Sequence, residues 1–197
     1  MTIRTERLTL LPLRAEHAAE MAEVLGDPAL HTFIGDAPLT AEQLRVRYQR
    51  WEAGSPDPAE TWCNWVVRLD GDPARPGGEV RPGGEARPGD DEGREDGAGP
   101  LVGWVQATLA GGEAEIAWVV GTGWQGRGIA KEAARAVAGH LAGLRVVAHV
   151  HPDHAAAGGV AAAAGLAPTE RWQDGERRWE REPLGECAPA HSGPLRP

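Results

Sequence analysis

One glycine-rich segment of the sequence has the residue types and spacing that suit the binding of a phosphate group. It reads Gly121-Thr122-Gly123-Trp124-Gln125-Gly126-Arg127-Gly128-Ile129-Ala130 and lies between a strand-like run and a helical pattern. The first N–H groups of a helix have no partner within the helix, and the helix dipole there favours anions. Glycine residues let such a backbone approach a phosphate closely. The segment therefore predicts a cradle for a phosphate or a pyrophosphate.

Two better-known phosphate motifs fit this segment poorly. The spacing of Gly121, Gly123 and Gly126 matches the dinucleotide fingerprint, but that motif needs an acidic residue about 20 residues further on for the ribose. Residues 133–152 contain no Asp or Glu, which argues against a dinucleotide. A Walker A loop is excluded because no Gly-Lys-Ser/Thr sequence follows the glycines.

A run of histidines forms a second candidate site, His149-Val150-His151-Pro152-Asp153-His154. The order His-x-His-x-Asp-His matches the zinc motif of the metallo-β-lactamase fold, and alternation along a strand places His149 and His151 on one face. That fold needs a long segment with further ligands after the motif, whereas only 43 residues follow here. The sequence therefore favours a core strand followed by a helix that Asp153 caps, with no metal bound.

Length and composition indicate one folded domain. The chain has 197 residues, of which 41% are hydrophobic and 25% are charged. We find neither a run of about 18 apolar residues nor a signal-peptide-like N-terminus, so we expect a cytoplasmic protein without a membrane partner. The net charge of −9 argues against a surface for nucleic acid. Cys63 and Cys187 are too far apart in sequence to indicate a disulfide framework.

Two segments differ in composition from a folded domain. Residues 70–99 carry nine acids and four arginines, include a Pro-Gly-rich hexapeptide repeat and hold Val80 as their one large aliphatic residue. Such a segment buries too little apolar surface to offset the entropy lost on ordering, so we expect a disordered insert. Residues 183–197 are expected to form a flexible tail. The folded domain would then span residues 1–182, with 70–99 as its insert.

The rest of the chain alternates strand-like and helix-like runs. We expect strands at 7–13, 61–69, 101–109, 113–120, 144–150 and on both sides of Asp174-Gly175, and helices at 16–25, 40–53, 126–141 and 153–164. Thr40 and Gln43 form a capping box at the start of the second helix, and Gly111-Gly112 is a hairpin turn. Hairpins combined with one strand–helix–strand crossover predict a mixed α/β fold, a mostly antiparallel sheet with flanking helices.

Several of these segments resemble the GNAT N-acetyltransferases. Residues 125–130, Gln-Gly-Arg-Gly-Ile-Ala, are similar to the Gln/Arg-x-x-Gly-x-Gly/Ala signature that holds the coenzyme A pyrophosphate in that family. Residues 5–10 resemble its opening strand, 113–120 its central strand and 153–166 its last motif. The branch that the chain resembles most acetylates the N-terminal alanine of ribosomal proteins and also contains small-amine and antibiotic-modifying enzymes.

The resemblance implies the acyl-CoA N-acyltransferase fold of the GNAT family, and transfer of acetyl from acetyl-CoA, a co-substrate, to a primary amine without a metal. The acceptor would be a protein N-terminus or a small amine, and the protein a monomer or a homodimer. The residues implied to bind coenzyme A are Trp118, Val119, Val120, Gln125, Gly126, Arg127, Gly128, Ile129, Ala130 and His154. In this scheme the N–H of Val119 stabilises the oxyanion, and Arg127 is a candidate for pairing with phosphate.

The same resemblance suggests catalytic and acceptor residues. Glu115 lies where many relatives carry a glutamate and is the candidate general base, while His154 is a candidate acid because imidazole titrates near neutrality. Phe33, Trp62 and Trp65 are candidate acceptor contacts. Trp62 and Trp65 lie three residues apart and so face opposite sides of their strand.

Two departures from the family pattern leave an alternative open. His154 and Ala157 stand where the last motif usually has Asn and Ser. Many relatives protonate the departing thiolate with a tyrosine near that helix, and the chain's one tyrosine, Tyr48, matches no catalytic position. The alternative is a coenzyme A-binding protein with weak or lost catalysis.

Overall fold

The computed structural model of the protein describes residues 1–35, 37–70 and 99–184. The strands are β1 (Ile3–Arg4), β2 (Leu8–Pro12), β3 (Thr61–Leu69), β4 (Leu101–Ala110), β5 (Glu113–Val120), β6 (Arg145–Val150), β7 (Ala167–Gln173) and β8 (Glu176–Arg181). The α-helices are α1 (Ala18–Val24), α2 (His31–Ile34), α3 (Ala41–Ala53), α4 (Ile129–His140) and α5 (Ala155–Ala163). Most of the predicted insert and tail, at 71–98 and 185–197, lies outside the described residues.

Within the described residues, the eight strands form one sheet in the order β1-β2-β3-β4-β5-β6-β8-β7. Its neighbouring strands are antiparallel except for the parallel pair β5 and β6. This arrangement confirms the predicted mixed, mostly antiparallel sheet. The predicted hairpin turn joins β4 to β5, where Gly111 and Gly112 have φ of 56° and 83°. Glycine adopts this left-handed conformation at little cost, as a two-residue hairpin turn requires.

The two faces of the sheet carry separate hydrophobic cores. On one face, α4 and α5 pack through residues such as Ile129, Val137 and Val160 against Leu8 and Leu10 of β2 and the inward side chains of β4 to β6. On the other face, α1 and α3 bury Met21, Leu44 and Tyr48 against Val66 and Leu101. We call these the α4 face and the α3 face. Each strand presents alternate residues to the two faces.

The structure differs from the sequence prediction at the starts of two helices. Helix α4 begins at Ile129 instead of Gly126, because Gly126 and Gly128 adopt φ of 75° and 79°, outside the helical region. Helix α5 begins at Ala155 with His154 as the N-cap residue. The prediction that Asp153 caps this helix was therefore wrong by one residue.

Local sequence signals determine where helix α3 begins. The capping box predicted for α3 is present: Gln43 N–H donates to Thr40 Oγ1 at 3.2 Å, and Thr40 N–H donates to Gln43 Oε1 at 2.9 Å. The short elements β1 and α2, of two and four residues, were not predicted because their patterns are too short to stand out. No helix of the described residues is both long and apolar enough to cross a bilayer.

Candidate active site

Strands β5 and β6 separate halfway along their length. Their parallel pairing covers Glu113 to Glu115 on β5 and Arg145 to Val147 on β6, and it stops there. Strand β6 continues to Val150 with β8 as its partner, and β5 continues to Val120 with β4 as its partner. A gap therefore opens in the middle of the sheet, and backbone groups of the second half of β5 face it.

The register of the β4–β5 hairpin decides which backbone groups these are. Gly121 N–H donates to Val102 O at 3.0 Å, so this pair is hydrogen-bonded across the two strands. Hydrogen-bonded pairs alternate along antiparallel strands, and counting back by two places Val119 opposite Trp104 in such a pair. The N–H of Val119 thus points at β4, whereas those of Trp118 and Val120 point at the gap. This orientation contradicts the prediction that Val119 N–H is the oxyanion donor.

The glycine-rich segment lies at the end of this gap. Its C-terminal half forms the turn into α4, and α4 begins with the N–H groups of Ile129, Ala130 and Lys131, which have no acceptor within the helix. Gln125 Nε2 donates to Val120 O at 3.0 Å, which ties the segment to the end of β5. A helix N-terminus, left-handed glycines and a lysine in one turn suit a pyrophosphate.

Arg7 and Glu132 hold this turn against the start of the chain. The Glu132 carboxylate accepts hydrogen bonds from Arg7 Nε at 2.7 Å, Arg7 N–H at 3.0 Å and Thr5 Oγ1 at 2.6 Å. Arg7 Nη1 also donates to the carbonyl oxygen of Arg127 at 3.2 Å. Burial opposes the charge of Glu132, but the hydrogen bonds from Thr5 and Arg7 outweigh it and lower the pKa of this carboxyl. The turn therefore has a charged support outside the sheet.

Arg127 itself takes a different position from the one expected. Its side chain is exposed, and its guanidinium carbon lies 5.0 Å from the centre of the Trp124 ring, a cation–π arrangement. The cavity next to the turn is lined by Lys131 and not by Arg127. Lys131 is the chain's one lysine, and no role was predicted for it from the sequence.

A cavity of about 1060 Å³ connects the two faces of the sheet through the gap. Of the residues expected to bind coenzyme A, it is lined by Trp118, Val119, Val120, Gln125, Gly126, Gly128, Ile129, Ala130 and His154. On the α3 face its lining includes Tyr48, Trp51 and Trp104. One continuous space therefore joins the glycine-rich turn to a pocket on the opposite side of the sheet.

His149 and Glu115 meet at the point where the strands part. His149 Nδ1 lies 2.9 Å from Glu115 Oε1, and both residues are on the α3 face. The side chain of His149 is 9% exposed and lines the cavity, whereas that of Glu115 is 53% exposed and does not. An ionised carboxylate only accepts hydrogen bonds, so the hydrogen of this contact lies on Nδ1, and a neutral ring with this tautomer has a lone pair on Nε2. From the sequence, His149 was expected to lie on a core strand, with metal binding as the alternative, and no part in acetyl transfer was predicted for it.

The other titratable groups near the gap have different environments. Arg178 Nη2 donates a hydrogen bond to Glu113 Oε2 at 2.6 Å, and this bond keeps the pKa of Glu113 below its ordinary value. Burial, together with the nearby His151, lowers the pKa of His154. A lowered pKa makes the protonated imidazole of His154 scarcer at neutral pH, which disfavours it as a general acid. Within the described part of the chain, no cluster of three or more His, Cys, Asp or Glu residues could hold a metal ion.

The predicted acceptor tryptophans lie outside the cavity lining. Trp65 is 4% exposed in the α4-face core, where its Nε1–H donates to Met1 O at 2.9 Å. Trp62 lies opposite Thr108, which in turn lies opposite Glu115, so Trp62 is two strands from Glu115. The two tryptophans do face opposite sides of β3. The side chain of Phe33 lies outside the described part of the structure. Nothing in this geometry supports Trp62 or Trp65 as acceptor contacts.

Comparison with known proteins identifies the family. A family model of the acetyltransferase (GNAT) domain matches residues 7–167. The chain belongs to the GNAT acetyltransferases. No curated protein matches it in sequence. The observed fold and the match to the family model therefore both agree with the family that the motifs at 5–10, 113–120 and 125–130 indicated.

Solved structures of other GNAT proteins resemble this one along nearly their whole length. A GNAT acetyltransferase from Bacillus anthracis is 18% identical, covers 91% of this chain and 96% of its own, and has a TM-score of 0.63. RimL, a ribosomal L7/L12 α-N-protein acetyltransferase in complex with coenzyme A, is 14% identical over 92% and 98%, with a TM-score of 0.66. The microcin C7 self-immunity acetyltransferase MccE, in complex with acetyl-CoA and AMP, is 12% identical over 90% and 93%, with a TM-score of 0.63. At these identities the likeness shows the GNAT fold alone.

Proposed function

We propose that this GNAT protein transfers the acetyl group of acetyl-CoA to a primary amine. The observation that carries the proposal is the gap between β5 and β6, which opens at one end onto the glycine-rich turn and on the α3 face onto His149. The structurally similar proteins RimL and MccE are in complex with coenzyme A and acetyl-CoA, respectively, which supports the same class of ligand here. The reaction would take place where the two halves of the cavity meet.

The coenzyme half of the site is built mainly from backbone groups. The N–H groups at the start of α4 and the Lys131 ammonium would hold the pyrophosphate. The backbone of Trp118 and Val120 would pair with the pantetheine arm in the place of a neighbouring strand. In this pose the N–H of Trp118 replaces that of Val119 as the donor to the thioester oxygen. A fixed backbone donor stabilises the negative charge that develops there during attack.

The groups that would transfer the proton of the acceptor amine are His149 and Glu115. The acceptor must lose a proton before it attacks, and His149 Nε2 would take that proton from the amine. Glu115 would keep Nδ1 protonated and stabilise the imidazolium through the 2.9 Å hydrogen bond. Overall, one N–C bond forms, one C–S bond breaks, one proton passes to sulfur and one is released to solvent. The sequence-based role of Glu115 as the base thus becomes a supporting role behind His149.

Two acceptor classes follow from the family branch that the sequence resembles. RimL is described as a ribosomal L7/L12 α-N-protein acetyltransferase, which supports a protein N-terminus as the acceptor. MccE is described as a microcin C7 self-immunity acetyltransferase, which fits the antibiotic-modifying enzymes of the branch. We propose a cytoplasmic enzyme with one of these acceptors, without a nucleic-acid or membrane partner, as a monomer or homodimer. The sequence departures at His154 and Ala157 keep a coenzyme-binding protein without turnover as the alternative.

Calorimetric titration with acetyl-CoA tests the first half of the proposal. We expect binding at one site per chain, weakened about tenfold by Gly126→Ala. A side chain at positive φ costs roughly 1–2 kcal/mol, so the free turn of the variant would relax to another conformation, and binding would have to restore the original one. Gly139→Ala is the matched control: Gly139 lies within α4, and an added Cβ there meets no atom within 4 Å. Equal affinity of wild type and Gly126→Ala would contradict the cradle. Binding without release of free thiol from acetyl-CoA and any amine would favour the alternative.

A further inference from the structure

An aromatic wall covers the α3-face part of the cavity. Trp51 of α3 and Trp104 of β4 meet edge to face, with ring centroids 5.6 Å apart and an interplanar angle of 64°. Tyr48 stacks on Trp51 from behind, with centroids 5.6 Å apart and an angle of 25°. Tyr48 is fully buried, whereas Trp51 and Trp104 are partly exposed and line the cavity. We call Tyr48, Trp51 and Trp104 the aromatic wall.

The sequence places these rings together through two periodicities. Leu44, Tyr48 and Trp51 recur at spacings of four and three, which puts them on the side of α3 that packs on the sheet. Trp104 lies on the same face of β4 and is directly opposite Val119 of β5. Because Val119 is next to Trp118, the wall ends one strand away, about 5 Å, from the backbone that faces the gap.

His149 and the aromatic wall lie on the same face of the sheet and flank the gap. The glycine-rich turn lies with α4, whose core is on the opposite face. An acceptor that reaches the thioester without displacing the coenzyme must therefore enter from the α3 face. Its reacting nitrogen would lie near His149, and the rest of the molecule would lie against the wall.

The charges around the cavity restrict the acceptor further. Among the described lining residues, Glu176 of β8 is the one carboxylate, and basic side chains are contributed by Arg47, Lys131 and the four histidines His31, His149, His151 and His154. A molecule with several ammonium groups needs several carboxylates to replace its lost hydration. Flat indole faces instead favour a flat apolar partner and tolerate one nearby cation. A polycation is therefore a poor match for this site.

We infer that the acceptor is a primary amine with a single positive charge, carried a few bonds from a flat aromatic group that packs on Trp51 and Trp104. This inference rests on the proposed acetyl transfer and narrows its acceptor. A free arylalkylamine and a peptide with an aromatic N-terminal residue share this chemistry. The inference excludes polyamines and aminoglycoside-like acceptors.

A panel of four amines at saturating acetyl-CoA tests the inference: tryptamine, the peptide Trp-Gly-Gly, butylamine and spermidine. The release of coenzyme A thiol gives kcat/KM for each. We expect tryptamine or Trp-Gly-Gly to exceed butylamine and spermidine by about tenfold or more, the effect of one well-packed aromatic contact. The better of the two distinguishes a free amine from a peptide. Spermidine or butylamine as the best acceptor would overturn the inference and leave acetyl transfer intact.

Variants of the wall then locate the contact. Trp104→Ala and Trp51→Ala should raise the KM for the preferred aromatic acceptor about tenfold, with a loss at least fivefold smaller for butylamine and an unchanged Kd for acetyl-CoA. Trp104→Phe and Trp51→Phe keep a ring and should recover most of the affinity, which separates packing from misfolding. Trp172→Ala is the matched control, since Trp172 is 55% exposed on β7 and does not line the cavity. A larger effect of Trp62→Ala would return the acceptor site to the sequence prediction.

If the protein does not transfer acetyl groups, the amine panel gives a different result. In that case no amine releases thiol from acetyl-CoA, whichever side chain is changed. Calorimetric titration of tryptamine into the wild type and Trp104→Ala, both with coenzyme A present, then measures the wall without turnover. Tryptamine binding that Trp104→Ala weakens supports the aromatic site, and absence of binding to the wild type overturns it.

Discussion

The Glu132 carboxylate of α4 forms an ion pair with the guanidinium of Arg7, whose Nη2 lies 2.6 Å from Glu132 Oε2. Arg7 lies just before β2, and the same guanidinium reaches the Arg127 carbonyl in the turn that opens α4. An added Cβ on Gly128 would lie 3.5 Å from Arg7 Nη2, so the arginine packs directly against the turn. Arg7 thereby links the first strands of the sheet to the proposed coenzyme cradle without lining the cavity itself.

Replacing Arg7 should weaken acetyl-CoA binding through the shape of the turn. We expect Arg7→Gln to raise the Kd for acetyl-CoA about fivefold, equivalent to about 1 kcal/mol for the lost hydrogen bonds. Calorimetric titration measures it. Arg45→Gln is the control, since Arg45 forms an exposed pair with Glu42 at 3.8 Å on α3 and such pairs contribute little. An unchanged Kd for Arg7→Gln would show that the turn keeps its shape without this support.

The same carboxylate should make stability depend on pH. The pKa of folded Glu132 is lower than the ordinary value of 4.5, so its contribution is complete above pH 4.5 and is lost as the pH falls from there through the folded value. Wild type should exceed Glu132→Gln by about 1 kcal/mol in the free energy of unfolding at pH 7. Urea denaturation at several pH values should show this difference shrinking below pH 4.5. A difference that stays constant down to pH 3 would contradict the assignment.

A double-mutant cycle tests whether Glu115 acts on the amine directly or through His149. His149→Asn should lower kcat by about a hundredfold or more, the usual contribution of a general base, with the Kd for acetyl-CoA unchanged. Glu115→Gln should cost less on its own and nothing further in the His149→Asn background, because it acts through the ring. His140→Asn, at the exposed end of α4, is the control for loss of an imidazole. Additive losses would mean that Glu115 acts on the amine directly, as the sequence suggested.

Local patterns accounted for most of the fold. Strand alternation, the Thr40–Gln43 capping box and the Gly111-Gly112 turn depend on neighbours in sequence, and each appears where expected. The register of β5 was also available from the sequence. A two-residue turn makes Ala110 and Glu113 a hydrogen-bonded pair, and counting on by twos reaches Val119 and directs its N–H to β4.

The candidate functional side chains were harder to predict because they are brought together over long sequence distances. His149 meets Glu115 only because β6 pairs with β5 across an intervening helix. Trp51 and Trp104 are more than 50 residues apart in sequence and meet only because α3 packs on the sheet that contains β4. Periodicity indicates which face a residue occupies, but not which helix will cover that face. The sequence predicted aromatic acceptor contacts at Trp62 and Trp65, which do not line the cavity, whereas Trp51 and Trp104 do.

The only tyrosine gives a prediction about stability. The Tyr48 hydroxyl is buried and has no hydrogen-bond partner among the described residues, and burial raises the pKa of this phenol. Tyr48→Phe removes an unsatisfied polar group and should leave the free energy of unfolding equal or about 1 kcal/mol higher. Above pH 10 the wild type should lose stability as the unfolded phenol ionises, and the variant should lose less. Denaturation at pH 7 and pH 10.5 measures both effects, and a strongly destabilised variant at pH 7 would reveal a partner for the hydroxyl.

Among the described residues, the short β5–β6 ladder leaves a block of five strands and a block of three whose main chains are joined by three residue pairs. In an ordinary sheet this seam would be closed along its whole length by main-chain hydrogen bonds. A molecule that lies in it acts as a substitute strand, and its binding energy becomes part of the folding energy of the chain. Mass action then adds about 2.7 kcal/mol to stability when the free ligand is at about 100 times its Kd. The lifetime of the protein in a cell would accordingly rise and fall with the supply of the molecule that completes its sheet.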